Sequence, residues 1–105
     1  MEQRTCIITG GNSGIGFDVA KRLVCHNYDV VLACRNETKA ANAVHQIKQK
    51  YPEVSISYMI LDLSSKESVI KFVNEFKESR KKLQLLINNA GKNIVLDVFL
   101  ISNSY

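Results

Sequence analysis

The chain has no tryptophan, one proline, two histidines and three cysteines among its 105 residues. Each scarcity removes a class of function. Cys6, Cys25 and Cys34 show neither CxxC nor metal-ligand spacing, and His26 and His45 stand alone. No metal site or disulfide framework is expected. Cys6 and Cys34 lie inside apolar runs and read as small buried hydrophobes in a reducing compartment. No apolar run approaches the ~20 residues of a membrane helix. The longest, residues 94–101, is interrupted by Asp97. Glu2 and Arg4 precede only a short apolar run, which is not a signal-peptide pattern, so a cytoplasmic location is expected. Acidic residues are fewer than basic ones, 10 against 14, for a net charge of +4. The basic residues are dispersed, however, and one cluster, Arg80, Lys81 and Lys82, reads as a solvated helix end. No nucleic-acid partner is expected. With 46% hydrophobic and 23% charged residues, the composition is that of one globular unit.

Glycine is scarce too, but it is concentrated. Four of the five glycines lie in the stretch IITGGNSGIG, at Gly10, Gly11, Gly14 and Gly16. Glycine loses more conformational entropy on folding than any other residue. A turn this rich in it must need the missing side chains.

The rest of the chain sets that turn in a regular frame. Residues 5–9 (TCIIT) form a short β-branched run, expected to be a buried strand. From Gly14 to Cys25 the period changes, with Ile15, Val19, Leu23, Ala20 and Val24 along one apolar stripe. Residues 29–34 (DVVLAC) read as a second strand. Asn36 can cap a helix with the stripe Ala40, Val44, Ile47 and Tyr51, which Pro52 stops. Residues 54–61 read as a third strand. Ser64 and Glu67 fit a capping box ahead of a helix carrying Val69, Phe72, Val73 and Phe76. Residues 83–88 (LQLLIN) read as a fourth strand. Strands this apolar need cover on both faces, and the intervening helices supply it. The expected fold is therefore α/β, a Rossmann-type doubly wound parallel sheet that runs βαβαβαβ and is truncated after its fourth strand. Residues 1–91 make up this half-domain. Residues 92–105 are a divergent tail.

In this frame the glycine turn joins a buried strand to the start of a helix, where unpaired N–H groups and a partial positive charge suit phosphate. Gly10 allows a tight turn out of the strand. Gly14 leaves room for phosphate near the backbone, and Gly16 lets the helix pack close to the sheet. Asn12 and Ser13 can add hydrogen bonds. The spacing Gly-x-x-x-Gly-x-Gly is neither GxGxxG nor a Walker loop. The second strand ends in Cys34-Arg35, where NAD-preferring sites carry a carboxylate for the ribose 2′-hydroxyl. Arg35 presents a forked cation suited to a 2′-phosphate, so NADP(H) is the expected cofactor. Asp62, at the end of the third strand, can accept from an adenine amino group, with Leu63 adding a backbone contact.

The strings TGGNSGIG, ACR, LDL and LLINNAG, in this order and spacing, resemble the short-chain dehydrogenase/reductases. The likeness is strongest to their retinol-dehydrogenase-like and WW-domain-oxidoreductase-like branches. The resemblance assigns Gly10, Ser13, Gly14, Ile15 and Gly16 to the pyrophosphate loop and Arg35 to NADP selection. It assigns Asp62 and Leu63 to the adenine pocket. Asn88, Asn89, Ala90 and Gly91 match a motif whose backbone lines the cofactor and steadies the central sheet. The implied chemistry moves a hydride between nicotinamide and an alcohol or carbonyl carbon, on retinoid, steroid or other lipid-like substrates among others. The family's catalytic Ser and Tyr-x-x-x-Lys have no counterpart here, and Ser102, Ser104 and Tyr105 do not replace them. The chain is therefore expected to bind NADP(H) and to be inactive alone. The alternatives are a non-catalytic nucleotide-binding or interaction module, self-associating through an uncovered sheet edge, and an unstable fragment.

Overall fold

The structure, a computed structural model, describes residues 3–12 and 14–89. Its elements follow the expected order: β1 (Arg4–Thr9), α1 (Gly14–Cys25), β2 (Tyr28–Cys34), α2 (Glu37–Lys50), β3 (Ile56–Ile60), α3 (Lys66–Glu78) and β4 (Leu83–Asn88). The strands form one sheet in the order β3-β2-β1-β4, and every neighbouring pair is parallel. The chain starts at β1, builds outward to β3, then returns to place β4 on the other side of β1. Strand order thus reverses between β1 and β4, and ligand crevices in such sheets open at the carboxyl ends of the strands there.

Alternation along the strands explains why their sequences are apolar throughout. Cys6, Ile8, Val30, Leu32, Cys34 and Ile56 face one way, against Ala20 and Val24 of α1 and Ala40, Ala43 and Ile47 of α2. Ile7, Val31, Ala33 and Leu83 face the other way, against Phe72, Val73 and Phe76 of α3. Successive strand residues point to opposite faces, so a sheet covered on both sides needs apolar residues at every position. Phe72 and Phe76 are fully buried, and each contributes about 2–3 kcal/mol of transfer free energy.

The helices depart from expectation in two places. On α1 the buried line runs through Gly16, Ala20 and Val24, while Ile15 is 76% exposed. Gly16 has no side chain, so the helix is drawn against the sheet at that residue and Ile15 is left on the outer side. Val19 and Leu23 flank the core rather than centre it. On α3 the N-cap is Ser65, not Ser64: Ser65 Oγ accepts from Ser68 N at 3.2 Å. Ser64 is taken by Asp62, whose Oδ1 accepts from Ser64 N (3.0 Å) and Oγ (2.6 Å). That aspartate-centred turn holds Ser64 outside the helix and moves the start one residue on. Asn36 caps α2 as expected, accepting from Lys39 N at 2.9 Å, and α2 ends at Lys50, ahead of Tyr51-Pro52.

The basic cluster at residues 80–82 is not simply a solvated helix end. Ser79 caps α3, Arg80 turns the chain with φ +60°, and Lys81 Nζ reaches Asp29 Oδ2 at 2.8 Å. Asp29 is buried at the start of β2, and its Oδ1 also accepts from Ser55 Oγ at 2.7 Å. This ion pair ties the α3–β4 connection to the end of the sheet opposite the glycine turn. No helix among the described residues is long and apolar enough to cross a membrane. His26 and His45 are exposed, and the three cysteines are free. The expectations for Ser13, Ala90, Gly91 and residues 92–105 lie outside the described residues.

Candidate functional site

The glycine turn takes a backbone path that side chains would resist. Gly10 and Gly14 have φ of +64° and +62°, in the left-handed region that L-residues with a Cβ rarely adopt. Gly10 N donates to Ala33 O at 2.9 Å, which carries the β1–β2 ladder one residue past the strand before the chain swings away. Apart from its chain neighbours and its own helix backbone, a Cβ on Gly14 would meet nothing within 4 Å, so the space above this part of the turn is open. The space beneath it is closed. A Cβ on Gly16 would stand 2.5 Å from Asn89 Nδ2 and 2.9 Å from the Gly10 carbonyl oxygen. A Cβ on Gly11 would stand 2.7 Å from Leu32 Cδ2. Gly11 has no role in the spacing pattern, yet a side chain there would force the Leu32 side chain to move.

Residues from the far end of the chain hold the turn in place. Thr9 Oγ1 donates to Asn88 Oδ1 and accepts from Asn89 N, both at 2.9 Å. Asn89 Nδ2 donates to the Gly10 carbonyl at 3.2 Å. Thr9 is buried, so its hydroxyl needs these partners. It was not among the expected site residues, although it opens the TGGNSGIG string. The end of β4 and the start of the turn are thereby one hydrogen-bonded unit.

An open cavity of about 340 Å³ lies over the carboxyl ends of β1, β2 and β3. Gly10, Asn12, Arg35, Lys39, Asp62 and Leu63 line it. The structure therefore brings together five of the expected residues, from three separate connections, and adds Lys39. Gly14, Ile15, Gly16 and Asn89 lie outside this cavity. Gly16 and Asn89 form the underside of the turn, while Gly14 and Ile15 stand exposed at the start of α1.

Arg35 is exposed directly after β2. Asp62 is half-buried, and the two hydrogen bonds from Ser64, aided by the Arg35 charge, hold its carboxyl below the usual 3.8. Its Oδ2 makes no hydrogen bond among the described residues. Burial pushes the Cys34 thiol up, against the opposing pull of the Gly11 and Asn12 backbone N–H groups. Cys6 is pushed up to about 12 by burial. Both thiols are therefore protonated, in keeping with their expected role as small hydrophobes. Among the described residues no group of three or more His, Cys, Asp or Glu could hold a metal ion. The site has a cation, a hydrogen-bonded carboxylate and an open backbone turn, arranged along a cleft. That arrangement suits an extended anionic ligand.

The comparisons with known proteins agree with this geometry. The chain is 42% identical over 90 residues to the WW domain-containing oxidoreductase of Drosophila melanogaster, covering 84% of this chain and 22% of that protein. It is 48% identical over 88 residues to the chloroplastic short-chain dehydrogenase TIC 32 B of Brassica napus, covering 83% of this chain and 27% of that one. The chain thus spans roughly a quarter of the length of these curated relatives. Its fold matches L-sorbose reductase from Gluconobacter frateurii, solved with NADPH and L-sorbose, at a TM-score of 0.76 and 27% identity. That match covers 87% of this chain and 34% of the other. The short chain dehydrogenase family pattern matches residues 4–102, and with the sheet order and glycine turn this establishes that the chain belongs to the short-chain dehydrogenase family.

Proposed function

We propose that these residues are the NADP(H)-binding part of a short-chain oxidoreductase that acts on an alcohol/carbonyl pair, with lipid-like substrates such as retinoids or steroids. The observation that carries this reading is the position of Arg35. It follows β2 directly, where an NAD-selective site would place a carboxylate, and it lines the same cavity as the glycine turn and Asp62. The pyrophosphate rests on the backbone of Gly10, Asn12, Gly14 and Ile15, with Gly16 holding α1 close beneath; Ser13 is assigned to the same loop from the sequence alone. Arg35 takes the 2′-phosphate, and Asp62 Oδ2 and Leu63 take the adenine. Asn89 borders the path toward the nicotinamide; Ala90 and Gly91, outside the described residues, are assigned to it from the sequence motif alone. The solved NADPH complex of the Gluconobacter relative supports the choice of cofactor. The cofactor, when bound, supplies or receives the hydride; these residues hold and orient it. The sequence contains no Tyr-x-x-x-Lys, so no turnover is expected from this chain by itself. Buried, free Cys6 and Cys34 support a reducing, intracellular location.

Titration with NADPH and NADH tests the reading. NADPH should bind more tightly, and Arg35→Ala should remove the preference. A charge-assisted hydrogen bond contributes ~1.5–3 kcal/mol, so the loss should be about 10- to 100-fold. Equal binding of the two dinucleotides, unchanged in Arg35→Ala, refutes it.

A second reading, a non-catalytic interaction module, draws on β4. β4 is the outermost strand of the described sheet, and Leu85 on it is 37% exposed. Exposed apolar surface favours association. Sedimentation of the chain with and without NADPH separates the readings: concentration-dependent dimers with no dinucleotide affinity favour the module.

A further inference from the structure

We propose that the outer edge of β3 and the adjoining flank of α2 form one docking surface for a second copy of this chain. The inference is independent of the cofactor reading, and it concerns the end of the strand order opposite β4.

Among the described residues β3 pairs with β2 alone. Val30 N donates to Ser55 O at 3.0 Å, and Leu61 N donates to Cys34 O at 2.9 Å. In a parallel ladder of this register, Ser57 and Met59 also turn their backbone groups toward β2. Ile56, Tyr58 and Ile60 therefore turn both N–H and C=O outward. Edge strands are normally blunted by charged residues or proline, and ISYMI has neither. Ile60 is also exposed. This edge is self-complementary about a two-fold axis through Tyr58, with the strands antiparallel and Ile56 opposite the copy's Ile60. Every outward N–H then meets an outward C=O, and the copy's Ile56 lies beside Ile60.

The helix above the edge carries a second pattern of the same symmetry. Glu37, Ala41, Val44 and Lys48 fall in one narrow stripe of α2 at helical spacing. Glu37 accepts from the Tyr58 hydroxyl at 3.2 Å, which identifies this stripe as the flank toward the β3 edge. Antiparallel to itself, the stripe sets Glu37 opposite Lys48 and Ala41 opposite Val44 in both directions. The charges at its ends are complementary and its centre is small and apolar. A parallel arrangement would set Glu37 against Glu37. The spacing fits as well. Because α2 packs across β2 and β3, its copy lies two strand spacings away, about 10 Å, at which helices pack.

Sedimentation equilibrium of the full chain should show a concentration-dependent dimer. Lys48→Glu should raise its dissociation constant about 10-fold, because both symmetry-related pairs become repulsive. Adding Glu37→Lys to Lys48→Glu should restore the wild-type value. Leu85→Lys, on β4, should leave the dimer intact. Cross-linking in a Cys25→Ser background, whose other cysteines are buried, reads the register. Ser57 faces the copy's Met59 at a Cα separation of about 4.5 Å, within reach of a disulfide. Ser57→Cys and Met59→Cys chains, mixed with oxidised glutathione, should therefore join. Neither should join with itself, because its own copy lies diagonally across at about 7–8 Å. The mixed cross-link decides the case even if a charge reversal unfolds the chain. A chain that stays monomeric, a Lys48→Glu variant that dimerises as tightly as wild type, or a mixture that does not cross-link overturns the inference. Loss of the dimer in Leu85→Lys alone moves the interface to β4 and overturns it as well.

Discussion

Asn89 donates from Nδ2 to the Gly10 carbonyl at 3.2 Å, and the same nitrogen lies 2.5 Å from where a Cβ on Gly16 would stand. The end of β4, the glycine turn and the first turn of α1 meet at this one point. The space left by Gly16 is what allows it.

Gly16→Ala should therefore be costly. The Asn89 side chain could shift, but the Gly10 carbonyl oxygen at 2.9 Å and Gly11 Cα at 3.0 Å are backbone and could not. Overpacking of this kind costs about 1–3 kcal/mol, readable as a lower urea midpoint, and the displaced turn should lose dinucleotide affinity. Asn89→Ala should cost ~1 kcal/mol through the lost hydrogen bond. In the double variant only part of the Gly16→Ala penalty should be relieved, because the backbone contacts remain. Full relief would show that the amide side chain is the only obstacle.

Ile15 separates the ligand surface from the core. It is 76% exposed, so Ile15→Ser should change stability by no more than ~0.5 kcal/mol. If the bound dinucleotide covers it, affinity should drop about fivefold, equivalent to ~1 kcal/mol of lost apolar burial. A marked loss of stability in urea would mean instead that Ile15 packs against the core.

The Asp29–Lys81 pair concerns stability rather than binding. Lys81→Met leaves the buried Asp29 carboxylate with Ser55 Oγ at 2.7 Å and Thr5 Oγ1 at 3.5 Å. Because the lysine side chain is 39% exposed and partly screened, the expected loss is only ~1–2 kcal/mol. Asp29→Ala also orphans the Ser55 hydroxyl and should cost about 3 kcal/mol. The pair lies at the end of the sheet away from the cavity. NADPH affinity per folded molecule should therefore be unaffected in both variants, and a selective loss of affinity would contradict that separation.

Asp62 should leave a signature at acid pH. The Ser64 hydrogen bonds lower its folded-state value below 3.8, so the fold favours the carboxylate. Its stabilising contribution is complete above the unfolded value and is lost as pH falls through the depressed folded one. Ser64→Ala removes the stronger of the two donors. The Asp62 titration, followed by carboxyl NMR, should then move upward toward 3.8. An unmoved titration would assign the depression to the Ser64 backbone N–H, which the substitution keeps, together with the Arg35 charge.

Much of the fold was legible because its causes are local. The change from continuous apolar runs to a helical stripe, Asn36 before α2 and Pro52 after it each act within about one helical turn, and each appears where expected. The capping of α3 was misread because two serines compete for one role. The choice depended on Asp62, which is two residues upstream of Ser64 and holds it in a turn. The exposure of Ile15 was hidden for a related reason. A helical stripe fixes a direction only to about one residue, and packing at Gly16 decided which side faces the sheet.

The sequence by itself determined the element order, the parallel sheet buried on both faces, the glycine turn and the lone Arg35 after β2. These follow from residue type, spacing and short-range sterics. Tertiary structure decided that Asn89 clasps Gly10 across 79 residues, that Lys81 reaches Asp29, and that Lys39 joins Arg35 at one cavity. Those contacts depend on strand order and register, which are set when β1 pairs with β2 on one side and β4 on the other. No local rule specifies them, because the groups become neighbours only after the sheet has formed.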